Sequence, residues 1–236
     1  MRKLIKNLLL GIAGLVVVGL LVLGLVISYT PDCEPREEAA VADESFKAVE
    51  HRCYGSPDVL EIVEVGKPEP TGNEVLVRVK AAAVNPLDWH YMRGSPYLMR
   101  LMSGIGVPHD HRVGADFAGV VEAVGPQVTR FKPGDRVFGR GNGAFAEYLV
   151  ASEDRAITII PDSVSFEQAA AMPIAAITAL QSLRDKGQLQ AGQKVLVNGA
   201  SGGVGTFAVQ IAKSMGAEVH GVCSERNVEM VTSLGA

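Results

Sequence analysis

The sequence predicts an N-terminal membrane-spanning helix, then a compact β-barrel-like domain, then the opening of a parallel α/β domain. Three observations carry this reading. Leu8 to Tyr29 is one uncharged, mostly apolar stretch; Phe46 to Ile160 is a series of short alternating strands punctuated by Gly and Pro; and Lys194 to Met215 runs strand, glycine-rich turn, helix.

At ~1.5 Å rise per residue, the apolar stretch crosses the ~30 Å hydrocarbon core as one helix. Arg2, Lys3 and Lys6 precede it, whereas Asp32, Glu34, Glu37, Glu38, Asp43 and Glu44 follow with only Arg36 against them. A basic flank of this kind keeps the N-terminus in the cytoplasm. A cleaved signal peptide is the competing reading, with Ala40-Val41-Ala42 as its site. A signal core is typically ~7–15 residues, shorter than this run, and the site stands an acidic stretch away from the apolar end. Residues 1–30 are therefore assigned to a single-pass anchor and 31–45 to an acidic linker.

Hydrophobic residues make up 47% of the 236 and charged residues 20%, which is enough for more than one globular core. The formal charge of -4 supplies no basic footprint, so nucleic acid is excluded as a partner. None of Cys33, Cys53 and Cys223 sits in a close pair of the kind that suggests a zinc knuckle, a redox pair or a disulfide framework. They read as three reduced thiols, which favours a reducing compartment.

From Phe46 to Ser163 the pattern is β. In Glu74-Val75-Leu76-Val77-Arg78-Val79-Lys80 the three valines share one face and most charges the other, as in a half-buried strand. Similar strands are expected at Phe46 to Arg52, Leu60 to Val65, Phe117 to Val124, Arg136 to Phe138, Phe145 to Val150 and Ala156 to Ile160. Turns such as Tyr54-Gly55-Ser56-Pro57 and Lys132-Pro133-Gly134-Asp135 separate them. Many short strands with such turns indicate a barrel-like domain over 46–163.

From Val164 the signal turns helical. Ser165 and Gln168 form a capping-box pattern before the alanine-rich run Ala169 to Ala179, where Pro173 starts or kinks a helix. The strand Lys194 to Asn198 then feeds Gly199-Ala200-Ser201-Gly202-Gly203-Val204-Gly205, followed by apolar residues at helical spacing. That order is the context a dinucleotide fingerprint requires: glycines let the backbone approach a pyrophosphate, and the helix N-terminus stabilises its charge. Gly199, Ser201, Gly202, Gly203, Val204 and Gly205 are the expected phosphate loop, spaced differently from the usual G-x-G-x-x-G.

The second strand, Glu218 to Cys223, ends beside the expected ribose site. An Asp or Glu at that end usually holds the ribose hydroxyls of NAD. Cys223 stands there instead, while Ser224 and Arg226 can bond a 2′-phosphate, so NADPH is the expected cofactor. Glu225, turned inward, is the competing acid.

Several motifs, in order, resemble the zinc-free quinone oxidoreductase branch of the medium-chain dehydrogenase/reductase family. They are Tyr54-Gly55-Ser56-Pro57, Val84-Asn85-Pro86-Leu87-Asp88, Gly114-Ala115-Asp116-Phe117-Ala118-Gly119, Pro133-Gly134-Asp135-Arg136-Val137, Gly143-Ala144-Phe145-Ala146-Glu147-Tyr148 and the loop Gly199 to Gly205. The resemblance implies a GroES-like β-barrel domain at 46–163 and a Rossmann NADP-binding domain at 164–236. It further implies that this second domain is incomplete, because relatives continue with more strands, and that the full-length parent is a homodimer. Zinc-dependent relatives carry a cysteine where Asn85 sits and a histidine where Ala115 sits, so the resemblance implies no metal. His109-Asp110-His111, the other ligand-like cluster, reads as a polar loop.

The function implied is hydride transfer from NADPH to an acceptor that is already electrophilic, a quinone or an α,β-unsaturated carbonyl. By resemblance Asn85 lies beside the nicotinamide as a donor to developing oxyanion charge, and Thr178 lies near the cofactor. His90 and Tyr91 are the candidate proton sources, with Asp88 fixing the loop. Two rival readings are a membrane-tethered NADPH-binding module without turnover and a zinc alcohol dehydrogenase. The basic flank places the domain outside the cytosol, but the supply of cofactor favours the cytosolic face of the membrane.

Overall fold

The computed structural model describes residues 2–33 and 44–236. The middle of the acidic linker, 34–43, lies outside the described residues. The opening element is α1 (Arg2–Ser28), whose segment Leu9–Ser28 has a hydropathy of 2.9 and is long and apolar enough to cross a membrane. Leucines and valines are exposed all round this segment, and of its large apolar side chains Ile27, at its end, is buried in the fold. A helix apolar on every face has no solvated side and suits hydrocarbon or a core.

The chain divides into two units that alternate along the sequence. The first comprises Met1–Pro68, Val84–Gly114 and Asn142–Tyr148. Here β1 (Ser45–His51) and β2 (Leu60–Gly66) pair antiparallel through a short 3-10 turn at Pro57–Val59. Their inward alternation buries Phe46, Ala48 and Val63, and Tyr148 meets Phe46 edge-on with ring centres 5.6 Å apart. This unit also holds α2 (Pro86–Arg93), a 3-10 turn at Tyr97–Met99 and α3 (Arg100–Ser103).

The second unit comprises Glu69–Ala83, Ala115–Gly141 and Leu149–Ala236. Its five-stranded sheet is built from β3 (Glu74–Ala83), β4 (Asp116–Val124), β5 (Arg136–Arg140), β6 (Tyr148–Ser152) and β7 (Ile157–Ile159), in the order β6-β3-β4-β5-β7. Val75, Val77, Phe117, Val121 and Val137 are fully enclosed, as the two-residue period requires. Then come α4 (Phe166–Ala170), α5 (Pro173–Leu180), a π-helical turn at Gln181–Lys186, β8 (Lys194–Asn198), α6 (Gly203–Ser214), β9 (Glu218–Val222) and α7 (Val228–Ser233). Strands β8 and β9 pair in parallel, and Val197, Val209, Ala212, Val219 and Val231 close a core between them and their helices.

Each expected strand is present with ends shifted by a few residues. The largest shift is at Phe145 to Val150, where β6 begins only at Tyr148. The preceding residues pair with β1 through an isolated bridge between Ala48 and Ala146. The alanine-rich run is two helices, and Pro173 starts the second as expected: the first is broken at Ala171 and Met172, since proline cannot donate into a continuing turn. Helix α2 stands where a loop was expected. Pro86 opens it, and the Asp88 carboxylate accepts a hydrogen bond from the Asn85 N–H at 2.7 Å, half of a capping box that a short aromatic-rich segment does not advertise by periodicity.

The reading of three reduced thiols is overturned: Cys33 and Cys53 form a disulfide, and Cys223 is the free cysteine. They are 20 residues apart, a spacing that signals nothing by itself. The fold brings them to a Cα separation of 5.3 Å because Cys33 follows the exit of α1 and Cys53 sits in the buried turn after β1.

Candidate cofactor and active site

The glycine loop expected to hold phosphate lies in the second unit. Gly199 takes a left-handed φ of 75°, and the N–H groups of Gly199 and Ala200 both bond the Val222 carbonyl, at 3.0 and 2.9 Å. The loop is thereby fixed to the end of β9. Gly202 is the N-cap of α6, and the helix proper starts at Gly203. A side chain at Gly203 would meet nothing within 4 Å, which leaves the first-turn amides open to an approaching anion. Gly205 differs: its added Cβ would collide with the Gly199 carbonyl and lie 2.8 Å from the Ala200 Cα. Its glycine serves helix-strand packing, whereas a Cβ at Gly202 would come only to 3.3 Å of the Gly199 carbonyl and one at Gly203 would stand in open space. Ser201 lies in the loop, and Val204 is exposed on the first turn of α6.

One residue of this region escaped the sequence reading. Asn227 Nδ2 donates to Ser201 Oγ and to Ser224 Oγ, both at 3.1 Å. It ties the phosphate loop to the turn after β9, so the expected pyrophosphate and 2′-phosphate contacts are held by one amide. The signal that could have found it is its place, one turn into a segment opened by Ser224 as N-cap. Glu225 and Arg226 both lie exposed in the 3-10 turn Glu225–Asn227. Cys223 is half-buried against the second unit's core.

Thr178 is exposed on α5, which packs against α6, and its carbonyl accepts the Ser182 hydroxyl at 2.7 Å. Asp116, fully buried in the motif Gly114 to Gly119, accepts the Ile174 N–H at 3.0 Å. It thus satisfies one orphan amide in the first turn of α5 and favours the positive end of that helix. Sequence reading took Asp116 as part of a family motif only. Its structural role is to seat the helix that carries Thr178.

The candidate catalytic residues lie in the first unit. Asn85 is the N-cap of α2, half-buried, with Asp88 buried one turn on. Asp88 does fix this segment, as expected, though as a helix cap. His90 Nδ1 lies 2.6 Å from the Ser95 carbonyl, which can only accept, so that nitrogen donates and Nε2 is the ring atom outside this bond. The Trp89 ring stands edge-on to His90, 4.3 Å between centres. Tyr91 is more exposed than His90. Successive helical positions differ by about 100° in direction, so His90 and Tyr91 face different ways and do not form one acid pair.

The loop His109-Asp110-His111 uses its polar atoms locally. Asp110 accepts the Arg112 N–H and the Asn142 side-chain amide, and His111 Nδ1 meets the His51 carbonyl at 3.1 Å. Burial depresses the His51 imidazole below its ordinary pKa, against an opposing bond to the Cys53 carbonyl. Burial likewise raises the Tyr54 phenol, whose hydroxyl is 2.8 Å from Ser103 Oγ.

Residues 71–162 match the alcohol dehydrogenase GroES-like domain. The chain is 39% identical over 208 residues to the chloroplast envelope quinone oxidoreductase homolog of Arabidopsis thaliana, covering 83% of this chain and 61% of that protein. A crystal structure of CurK enoyl reductase superposes with a TM-score of 0.75 at 30% identity, covering 81% of this chain and 58% of that one. The Escherichia coli quinone oxidoreductase complexed with NADPH superposes with a TM-score of 0.71 at 32% identity, covering 80% and 56%. The chain thus spans about three fifths of the length of the relatives it matches.

Proposed function

For a chain that carries an alcohol dehydrogenase GroES-like domain and is similar to quinone oxidoreductases of the medium-chain dehydrogenase/reductase family, we propose zinc-independent, NADPH-dependent reduction of a quinone or an α,β-unsaturated carbonyl by the whole protein. The observation that carries the proposal is the glycine loop Gly199 to Gly205 tied through Asn227 to a β9 end that offers Ser224 and Arg226 in place of a carboxylate.

NADPH supplies a hydride when bound; this chain supplies binding, orientation and a proton. The open first turn of α6 fits a pyrophosphate, and the exposed Arg226 fits a 2′-phosphate as a charged donor. Thr178 borders the cofactor on the α5 side. Asn85 is the donor to charge developing on the acceptor oxygen, and its place at a helix start adds the favourable dipole. The two candidate proton sources are His90, through the Nε2 that its bond to the Ser95 carbonyl leaves open, and the more exposed Tyr91 hydroxyl. Asn85 and Ala115 occupy the positions at which zinc-dependent relatives hold ligands, which supports chemistry without a metal. The domain limits 46–163 and 164–236 and a homodimeric whole protein belong to the same proposal.

The test is NADPH oxidation by the whole protein with a panel of quinones and enones. Consumption is expected to survive strong chelation, and stoichiometric zinc in the purified protein would overturn the metal-free reading. Arg226→Ala is expected to weaken NADPH roughly tenfold to hundredfold, about 1.4–2.7 kcal/mol, and NADH little. Equal losses for both cofactors would count against the 2′-phosphate assignment.

The same proposal includes membrane attachment through α1, and the Cys33–Cys53 disulfide bears on its side. Disulfides persist in oxidising compartments, and the basic flank keeps the N-terminus in the cytoplasm. Both favour the non-cytoplasmic face, against the cytosolic face that cofactor supply suggested. Such an enzyme needs reduced cofactor regenerated on its own side. Protease added to intact spheroplasts is expected to remove the domain while leaving the anchor, and thiol trapping before lysis is expected to label neither Cys33 nor Cys53. A protected domain with both thiols reactive would restore the cytosolic face.

A further inference from the structure

The exit of α1 is held by a buried arginine far along the chain. Arg100, 3% exposed, directs Nη1 to the Tyr29 carbonyl and the Thr30 hydroxyl, each at 2.9 Å, with the Ile27 and Ser28 carbonyls at 3.3 and 3.4 Å. Its Nε donates to the Gly94 carbonyl at 3.0 Å, and its guanidinium lies over the rings of Tyr54 and Tyr97, at 4.5 and 4.8 Å. The last carbonyls of a helix lack partners and carry partial negative charge, so a cation there caps the helix and complements its dipole. Three residues beyond Thr30, Cys33 is bonded to Cys53. The chain leaving α1 is thus fastened twice to the first unit.

The segment that supplies Arg100 is otherwise apolar and faces outward. Tyr97, Leu98, Leu101, Met102, Ile105 and Val107 are all exposed, Leu98 at 67% and Met102 at 84%. Arg100 is the only charged residue between Pro96 and Pro108, and it is turned inward. The Tyr97–Met99 turn packs against α1, and Gly106 lies close to Pro31. The patch is therefore continuous with the point at which α1 ends. Exposed apolar groups gathered in one place mark an interaction surface, and here the surface adjoins a helix that is apolar on every face.

We propose that the segment Tyr97 to Val107 seats in the headgroup and upper acyl region of the bilayer that α1 spans, and so fixes the first unit against the membrane instead of leaving it on a free tether. The proposal rests on the reading of α1 as a membrane anchor. Its occupant is lipid: the two fastenings hold the patch at the level where α1 leaves the hydrocarbon, and an uncharged apolar surface at that level is solvated by acyl chains. Catalytic candidates of the same unit are then kept near the surface in which a lipid-soluble acceptor dissolves.

The test uses the full chain in phosphatidylcholine vesicles, with Trp89 changed to Phe and a single reporter introduced as Met102→Trp or, separately, Leu101→Trp. Vesicles are made with and without bromine-labelled acyl chains. Both reporters are expected to lose roughly half or more of their emission in brominated vesicles, since interfacial side chains sit about 5–10 Å into the headgroup and acyl boundary. Flotation after alkaline carbonate extraction reports the anchor independently. A chain that floats but whose reporters are quenched only by aqueous acrylamide overturns the seated patch and leaves the anchor standing. A chain that does not float overturns both.

Discussion

Gly205→Ala is expected to weaken NADPH binding by the whole protein roughly hundredfold, about 2.7 kcal/mol, and to lower its stability by ~2–3 kcal/mol. The added methyl has nowhere to go: it meets the Gly199 carbonyl and lies 2.8 Å from the Ala200 Cα, both backbone atoms of the phosphate loop. Relief requires that α6 move away from β8 or that the loop turn outward. Movement of the helix opens the core of Val197, Val209 and Ala212; movement of the loop breaks the paired bonds from Gly199 and Ala200 to the Val222 carbonyl. Gly203→Ala is the control, because its Cβ meets no atom within 4 Å, so the fold is expected to keep its stability while a bound pyrophosphate still feels the methyl. Titration calorimetry and thermal unfolding separate the two effects. Equal stability of Gly205→Ala and the parent sequence would show that the packing role assigned to this glycine is wrong.

Arg100→Met is expected to cost about 3–5 kcal/mol in the first unit. Methionine fills much of the aliphatic space, but the buried Gly94 and Ile27 carbonyls lose their donor at about 1–3 kcal/mol each, and the part-buried Tyr29 carbonyl and Thr30 hydroxyl, which water can reach, lose a bond worth about 1 kcal/mol or less each. Arg100→Lys should recover less than half of this, because one ammonium cannot reach both sides of the site that the guanidinium spans. Denaturant unfolding followed by tyrosine fluorescence measures the loss, and proteolysis after Thr30 reports release of the helix exit. Reduction of Cys33–Cys53 acts on the same exit, so its effect and that of Arg100→Met are expected to be non-additive by more than ~0.5 kcal/mol. Strict additivity would mean that the two fastenings do not share a load.

Much of the molecule was legible in the residues because it depends on local chemistry. Alternation in Glu74 to Lys80 places β3 and its buried face, since neighbouring side chains in a strand must point to opposite sides. Ser165 with Gln168 places the start of α4, where the Ser165 hydroxyl accepts the Gln168 N–H at 3.2 Å. The loop Gly199 to Gly205 was legible as a whole, between a strand and a helix that both exist. Helix α2 was not. It is held by the Asn85 and Asp88 cap, the proline that starts it and the left-handed Gly94 that ends it, and its eight residues carry no apolar stripe.

The sequence by itself determined the apolar length of α1, the strand pattern and the glycine loop with the strand and helix that flank it, because each is a property of neighbours along the chain. Only the tertiary structure decided that Cys33 pairs with Cys53, that Asp116 seats α5, that Asn227 joins Ser201 to Ser224, and that Arg100 caps a helix whose last residue is 72 positions before it. In each of these a donor, acceptor or thiol is satisfied by a group distant in sequence. No periodicity records such a pairing; it exists once packing has fixed both partners in space, and leaving either one unpaired in a buried site would cost more than a typical surface contact returns.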